Sequence, residues 1–445
     1  EALTANTTGY NNTAIGYVAG KAMTEGYQNT LVGDRAGTAI TTGDNNTAVG
    51  QNALKTATTA NENTAIGWDA LTLNTSGSGN TAVGSGVMAA NTTGAENTAV
   101  GSDALDANTE GDENTAIGFS AMGVNTTGEY NTSVGKSSMA ANTTGNHNVA
   151  VGRNAMNQNT TGVRNIAIGS HAYDASDTED DNLAIGYDAM TTNTAGGTQN
   201  VVVGNYAGDA ITSGDRNTGV GYTALGATAS VEGNTGFGWG ALRDATGGSN
   251  TGVGDHAGLY STPITTGTNN IMIGALTYPS AGDAVKQIVL GTAQPGVGNN
   301  IFSFGHGSTN RVYNNFSSNA SWTRSSDRRL KKDIQTNTDC GLNFINDLRT
   351  VTFKWKAPSE IEENLRELTN QNDATAPDYT PKMYGFIAQE VKSVLDNHNI
   401  TDFNGWHQTK AEQGAVQGIS YEMFVMPLVK AIQELSAKND SLETS

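Results

Sequence analysis

The sequence predicts a mainly β protein in three parts. A parallel β-solenoid shaft of 17-residue coils spans residues 1–295, a β bridge spans 296–324, and a small α+β domain spans 325–445 and closes in a coiled-coil helix at 421–442. Three observations lead there. A short motif recurs at a fixed period, that period disappears near residue 300, and the last segment spaces its apolar residues as a helical seam.

The motif is Asn-Thr-Ala-(Ile/Val)-Gly. Its copies start at Asn12, Asn29, Asn46, Asn63, Asn80, Asn97, Asn114, Asn131, Asn148, Asn165 and Asn182, 17 residues apart. They continue, with small insertions and deletions, through Asn200, Asn217, Asn234, Asn250, Asn270 and a worn copy at Gln287. A fixed period means a solenoid, in which one turn cannot bury its own apolar face and stacking supplies the core. The period is too short for helix pairs, and the recurring Gly and Asn would break a long helix, so the coil is β. Each turn reads as a strand through the motif, a second apolar pair such as Ala104 and Leu105, and a polar corner such as Asn125 to Gly128. Gly and Asn are expected at that corner because they tolerate positive φ. Seventeen copies at the ~4.8 Å interstrand spacing give a shaft on the order of 80 Å long.

Alternation along the strand adds a partner. The fourth motif position is apolar in every copy, from Ile15 to Leu290, and its neighbour on the opposite face is usually Ala, as at Ala48 and Ala65. Apolar residues on both faces need cover on both, one from inside the coil and one from outside. The simplest outside cover is an identical chain. The Ala-Leu and Ala-Met pairs (Ala53/Leu54, Ala70/Leu71, Ala121/Met122, Ala155/Met156) are expected to need it too. The result is an elongated homo-oligomer.

Composition excludes several functions. Of the 445 residues only 15% are charged, against about 25% in a typical globular domain. The net charge of −19 splits into −14 over residues 1–325 and −5 over 326–445, a surface that repels phosphate backbones, so no nucleic-acid partner is expected. Cys340 is the only cysteine, so an intrachain disulfide and a Cys-rich metal site are both ruled out, and no cofactor is expected. No run approaches the ~20 apolar residues of a membrane span, and EALTANTTGYNN lacks the basic and apolar regions of a secretion signal, so a soluble chain without membrane insertion is expected. The Thr ladder at the second motif position turns into Val149, Ile166 and Leu183, which breaks an ice-binding array. Calcium repeats of the G-G-x-G-x-D type need a double Gly and a regular Asp that the motif lacks. Trp68, Trp239 and Tyr187 read as scattered packing residues.

Beyond Asn300 the elements change. IFSFGHGSTNRVYNNFSSNASWT is strand-like, GLNFINDL is apolar, VTFKW (Val351 to Trp355) is strand-like, and a polar insertion runs from Pro358 to Pro381. GFIAQEVKSVL (Gly385 to Leu395) has helical spacing at Phe386, Val391 and Leu395. In the last segment Val425, Leu428, Ile432, Leu435, Asn439 and Leu442 are spaced 3, 4, 3, 4, 3, a heptad seam with Asn439 at a register-fixing position. The other reading of that spacing is an amphipathic helix packed on its own domain. Pro427 sits in the first helical turn, where it is tolerated.

The 17-residue motif resembles the head repeats of trimeric autotransporter adhesins and, more closely, the Asn-Thr-Ala-Val-Gly arrays of phage tail fibres. S-D-R-R-L-K-K-D-I, G-F-I-A-Q-E-V and Y-E-M-F-V-M-P-L-V-K-A-I-Q-E-L, in that order, resemble the C-terminal intramolecular chaperone and self-cleaving domain of phage tailspikes and tail fibres. The resemblance implies a homotrimer in a virion tail fibre, with other tail proteins and a host cell-surface receptor, glycan or protein, as partners. It implies a domain that trimerises, nucleates folding of the shaft and then cuts itself off, with Ser326 as nucleophile, Lys331 as base and the Ser325 carbonyl as the point of attack. A Ser hydroxyl needs a base, and Lys serves only when neutral, a state that the like charges of Arg328, Arg329 and Lys332 favour. Five residues along a straight helix turn by about 500°, so Ser326 must precede any helix to meet Lys331. Read without the resemblance, Ser326 or Asp327 is an ordinary N-cap for a helix from Arg328. His398 and His407 read as surface residues, His407 with a possible supporting role beside Lys410. The rival functions are a cell-surface trimeric adhesin and a structural fibre whose tail trimerises without cutting.

Overall fold

The computed structural model describes residues 1–193, 196–315, 323–324, 328, 331–354, 356, 360–361, 382–408 and 416–443, in two compact units, Glu1–Ser326 and Asp327–Ser445. The first is a stack of coils. Seventeen short strands, β1 (Thr13–Ile15) to β17 (Ile288–Thr292), pair in parallel and in motif register, Thr13 with Thr30 and Ala14 with Leu31 at one end, Met272 with Val289 at the other. β17 also pairs in parallel with β18 (Ile301–His306), which turns back antiparallel into β19 (Asn310–Asn315), and β19 pairs with β20 (Thr323–Arg324).

The middle residue of each motif strand faces inward. Ala48, Ala65, Ala82, Ala99 and Ala116 are fully buried, while the apolar residues beside them face out, Ile66 39% and Ile117 40% exposed. The outer face is therefore open in a single chain, as the alternation predicts. The Ala-Leu and Ala-Met pairs differ from expectation. Ala104 and Leu105 are both buried in the same coil, as are Ala121 and Met122, so this ladder needs no outside cover. The reason is backbone conformation: Leu105 (φ 52°) and Met122 (φ 51°) are left-handed, which cancels the strand alternation and brings two consecutive side chains to one side. Left-handed backbone costs a non-Gly residue about 1–2 kcal/mol. Burying the Leu or Met side chain returns about 1.5–3 kcal/mol, so the inward turn prevails.

The corner also departs from expectation. In the coil from Asn97 the positive φ values fall at Gly101, Asp103, Leu105 and Glu113, not at the Asn-Thr-Glu-Gly corner. Corner glycines serve close approach instead: a Cβ at Gly145 would lie 2.5 Å from both Asn142 Oδ1 and the Gly162 carbonyl of the next coil. The motif asparagines form a buried ladder. Asn114 donates from Nδ2 to the Gly128 carbonyl (2.8 Å), and its Oδ1 accepts the Asn131 backbone N–H (3.0 Å). Asn114→Ala strands that N–H, at about 1–3 kcal/mol. A lower urea midpoint is expected for it and a nearly unchanged one for the outer-face change Thr115→Ala; equal midpoints would contradict the ladder's role.

The second unit is small and mixed. It comprises α1 (Leu342–Asp347), β21 (Val351–Phe353), β22 (Met383–Gly385), α2 (Ala388–Asn397), β23 (Trp406–Gln408), β24 (Gln417–Ile419), and a 3-10 turn (Tyr421–Phe424) leading into α3 (Val425–Glu443). β21 pairs antiparallel with β22, and β23 with β24. Cys340, Phe344, Val391, Leu395 and Phe424 form its core, so the helical spacing read at Val391 and Leu395 is the buried stripe of α2. Ser326 and Asp327, the N-cap candidates, lie outside the described residues; Arg328 stands in a 3-10 turn, and Lys331 to Cys340 contain no helix.

Candidate functional site

Two parts of the second unit hold the residues singled out in the sequence: its beginning, where cleavage is expected, and its last helix. At the beginning, Ser325, Ser326, Asp327 and Arg329 lie outside the described residues. Lys331 is described. It is exposed, its backbone N–H donates to the Arg328 carbonyl at 3.1 Å, and it opens an exposed segment that reaches Asp339.

The segment then enters a core built around rings. Phe344 on α1 meets Phe403 edge-on at 5.8 Å and lies 6.5 Å from Phe424, and Phe424 lies 5.1 Å from both Phe386 and Phe403. Polar ties fix this cluster. Arg349 grips Glu390 of α2 with two bonds, Nε to Oε2 at 2.9 Å and Nη2 to Oε1 at 2.5 Å. The Tyr421 hydroxyl accepts the Phe386 N–H at 3.2 Å. His398 is half-buried rather than on the surface, bonded to Asp347 (2.7 Å) and edge-on to Phe344, while His407 is exposed on β23 and Lys410 lies outside the described residues. Burial pushes the Cys340 thiol above its usual range, consistent with an inert core residue.

α3 has one packed face and one exposed face. One face packs on α1: Pro427 and Ala431 are buried, and Glu434 Oε2 accepts the Leu342 backbone N–H at 2.8 Å. α1 follows Gly341 and has no side-chain cap of its own, so Glu434 caps it from 92 residues away. That bond, with Lys430 beside it, holds the Glu434 carboxyl below the usual carboxylate range. The other face is the heptad seam, where Val425, Leu428, Ile432, Leu435 and Leu442 are 45% to 73% exposed and Asn439 donates only along its own helix, to Glu443. Packing on the home domain thus accounts for Pro427, Ala431 and Glu434, and leaves the seam uncovered. The capping face was legible as an i, i+4, i+7 spacing, but the larger apolar stripe beside it masked the signal.

Residues 326–400 match the peptidase family described as the chaperone of endosialidase. The C-terminal unit is thus a chaperone-of-endosialidase domain, and such a domain behind a β-solenoid fits a tail fibre or tailspike that carries an intramolecular chaperone. The family also implies self-cleavage. The matched segment starts at Ser326, the residue at which the two compact units part. No curated protein and no solved structure matches the chain.

Proposed function

We propose that the chain is a homotrimeric virion tail fibre or receptor-binding appendage, aligned through α3 and then cut once per chain between Ser325 and Ser326. The observation that carries the reading is the seam: six heptad positions on a helix already anchored by its opposite face. The open Ile/Val face of the shaft supports the same assembly, because a second and third chain would cover it. In the cut, the Ser326 hydroxyl attacks the Ser325 carbonyl while Lys331 takes its proton. The tetrahedral centre collapses, the peptide C–N bond breaks, and Lys331 returns the proton to the departing Ser326 amine. Water then hydrolyses the resulting ester, leaving a Ser325 carboxylate and a free Ser326. Exclusion of water adds to neighbouring positive charge in keeping a lysine neutral, so shielding of the exposed Lys331 by neighbouring copies ties cutting to assembly. Other tail proteins and a host receptor are the partners this role requires.

Refolding tests the alignment role. A chain ending before Ser325 is expected to give mostly aggregate on dilution from denaturant, where the full chain gives soluble oligomer. Equal recovery of assembled shaft from both would reduce the tail to an inert appendage.

A further inference from the structure

Five aromatic side chains from five successive coils stand in one column on the outside of the shaft: Tyr187, Tyr206, Tyr222, Trp239 and His256. Their ring centres are 5.5, 5.8, 6.2 and 4.0 Å apart in that order. Tyr187 and Trp239, which the sequence presents as scattered packing residues, are thus members of one array, and each is 45% exposed. The array is hidden in the sequence because its rings do not share one motif position: three fall five residues after the motif Asn and two fall six after it. The two at the later offset, Tyr206 and His256, are left-handed.

Packing does not require the column. At the same offset other coils carry Ser85, Ser102, Lys136, Arg153 and Ser170, so the shaft folds with polar residues there. The surroundings narrow what the rings would meet. Asp188 sits close enough to raise the Tyr187 phenol's affinity for its proton, which keeps the hydroxyl a donor, and Asp255 lies beside His256 (Oδ1 to Nδ1, 3.1 Å). With an acidic shaft behind them, these carboxylates disfavour anionic polymers. Aromatic faces are electron-rich and attract weakly positive C–H groups. A pyranose ring offers a flat C–H face rimmed by hydroxyls that suit the carboxylates and phenols. We propose that the Tyr187-to-His256 column is a binding ridge for neutral, pyranose-containing glycans, lying along the shaft and roughly 20 Å long at one interstrand spacing per ring. The proposal rests on the attachment reading above and names its ligand class.

Retention of the full chain on immobilised dextran, mannan and galactan, with heparin as the anionic polymer, tests it. The variants are Tyr222→Ser with Trp239→Ser, and as control Trp68→Ser, an exposed Trp at the same offset outside the column. The expected result is retention of the unaltered chain and the control on at least one neutral polymer and not on heparin, binding about tenfold weaker in the double variant, and an unchanged sedimentation profile. No retention on any neutral polymer, retention on heparin, or equal retention by the double variant would overturn the proposal. So would loss of assembly in the double variant, because the column would then be packing between copies. An unaltered chain that neither trimerises nor cuts itself would instead remove the fibre reading, so the two failures are separable.

Discussion

Ser326→Ala runs as a single band near the full 46.1 kDa under denaturing conditions, whereas the unaltered chain releases a C-terminal fragment of roughly 13 kDa, scaled from chain length. The effect is all-or-none because the acyl shift needs the hydroxyl oxygen as its nucleophile, and alanine has none. Lys331→Ala leaves the nucleophile and removes the base, so cutting slows by about 10²–10⁴-fold, the usual range for a positioned general base. A gel time course separates the two: no fragment at any time for the first, slow accumulation for the second. The same fragment from Ser326→Ala would place the bond or the nucleophile elsewhere.

Leu428→Asp with Ile432→Asp abolishes assembly while leaving the C-terminal unit folded. Both side chains are exposed in the single chain, so its own core loses nothing. In a trimer they contribute six buried apolar side chains at about 1.5–3 kcal/mol each, on the order of 10 kcal/mol lost before any charge repulsion is counted. The measurement is native mass, with circular dichroism reporting the retained helix. Self-cleavage is expected to fall with assembly. A variant that stays oligomeric would move the alignment surface from α3 to the shaft.

The shaft alone is poorly suited to that task. Sliding one chain by a whole coil restores almost every contact, and long-range parallel pairing is slow and leaves edges exposed while it forms. Some coils carry irregular residues. Tyr173 fills a Leu/Met position, and Glu179 replaces a corner Gly, its carboxylate accepting the N–H groups of Asp177, Thr178 and Gly196. In the proposed function a non-repeating tail sets the register once, at one end, and cutting then leaves the shaft held by its unfolding barrier.

Much of this architecture is legible in the sequence, for identifiable reasons. A 17-residue spacing held from Asn12 to Asn182 forces each of those coils to repeat its neighbour, so strand position, inward Ala and outward Ile/Val follow from one turn. The heptad spacing marks the seam of α3 without reference to any other element. What escapes depends on conformation or distance. The inward turn of Leu105 needs a left-handed backbone that residue type does not announce, and the Tyr187-to-His256 column joins rings from two different motif positions. The Glu434 cap joins residues 92 apart. At the cleavage junction Arg324, Arg328 and Lys331 are among the described residues and Ser325 and Ser326 are not, so the roles of the two serines rest on the family match and the chemistry of serine and lysine.

Sedimentation equilibrium of the freshly purified chain in native buffer is the most direct measurement. Three copies held side by side give three times 46.1 kDa, about 138 kDa, before any cleaved tail dissociates, and one copy gives 46.1 kDa. The first value is expected; a single species at the second would contradict a side-by-side trimer.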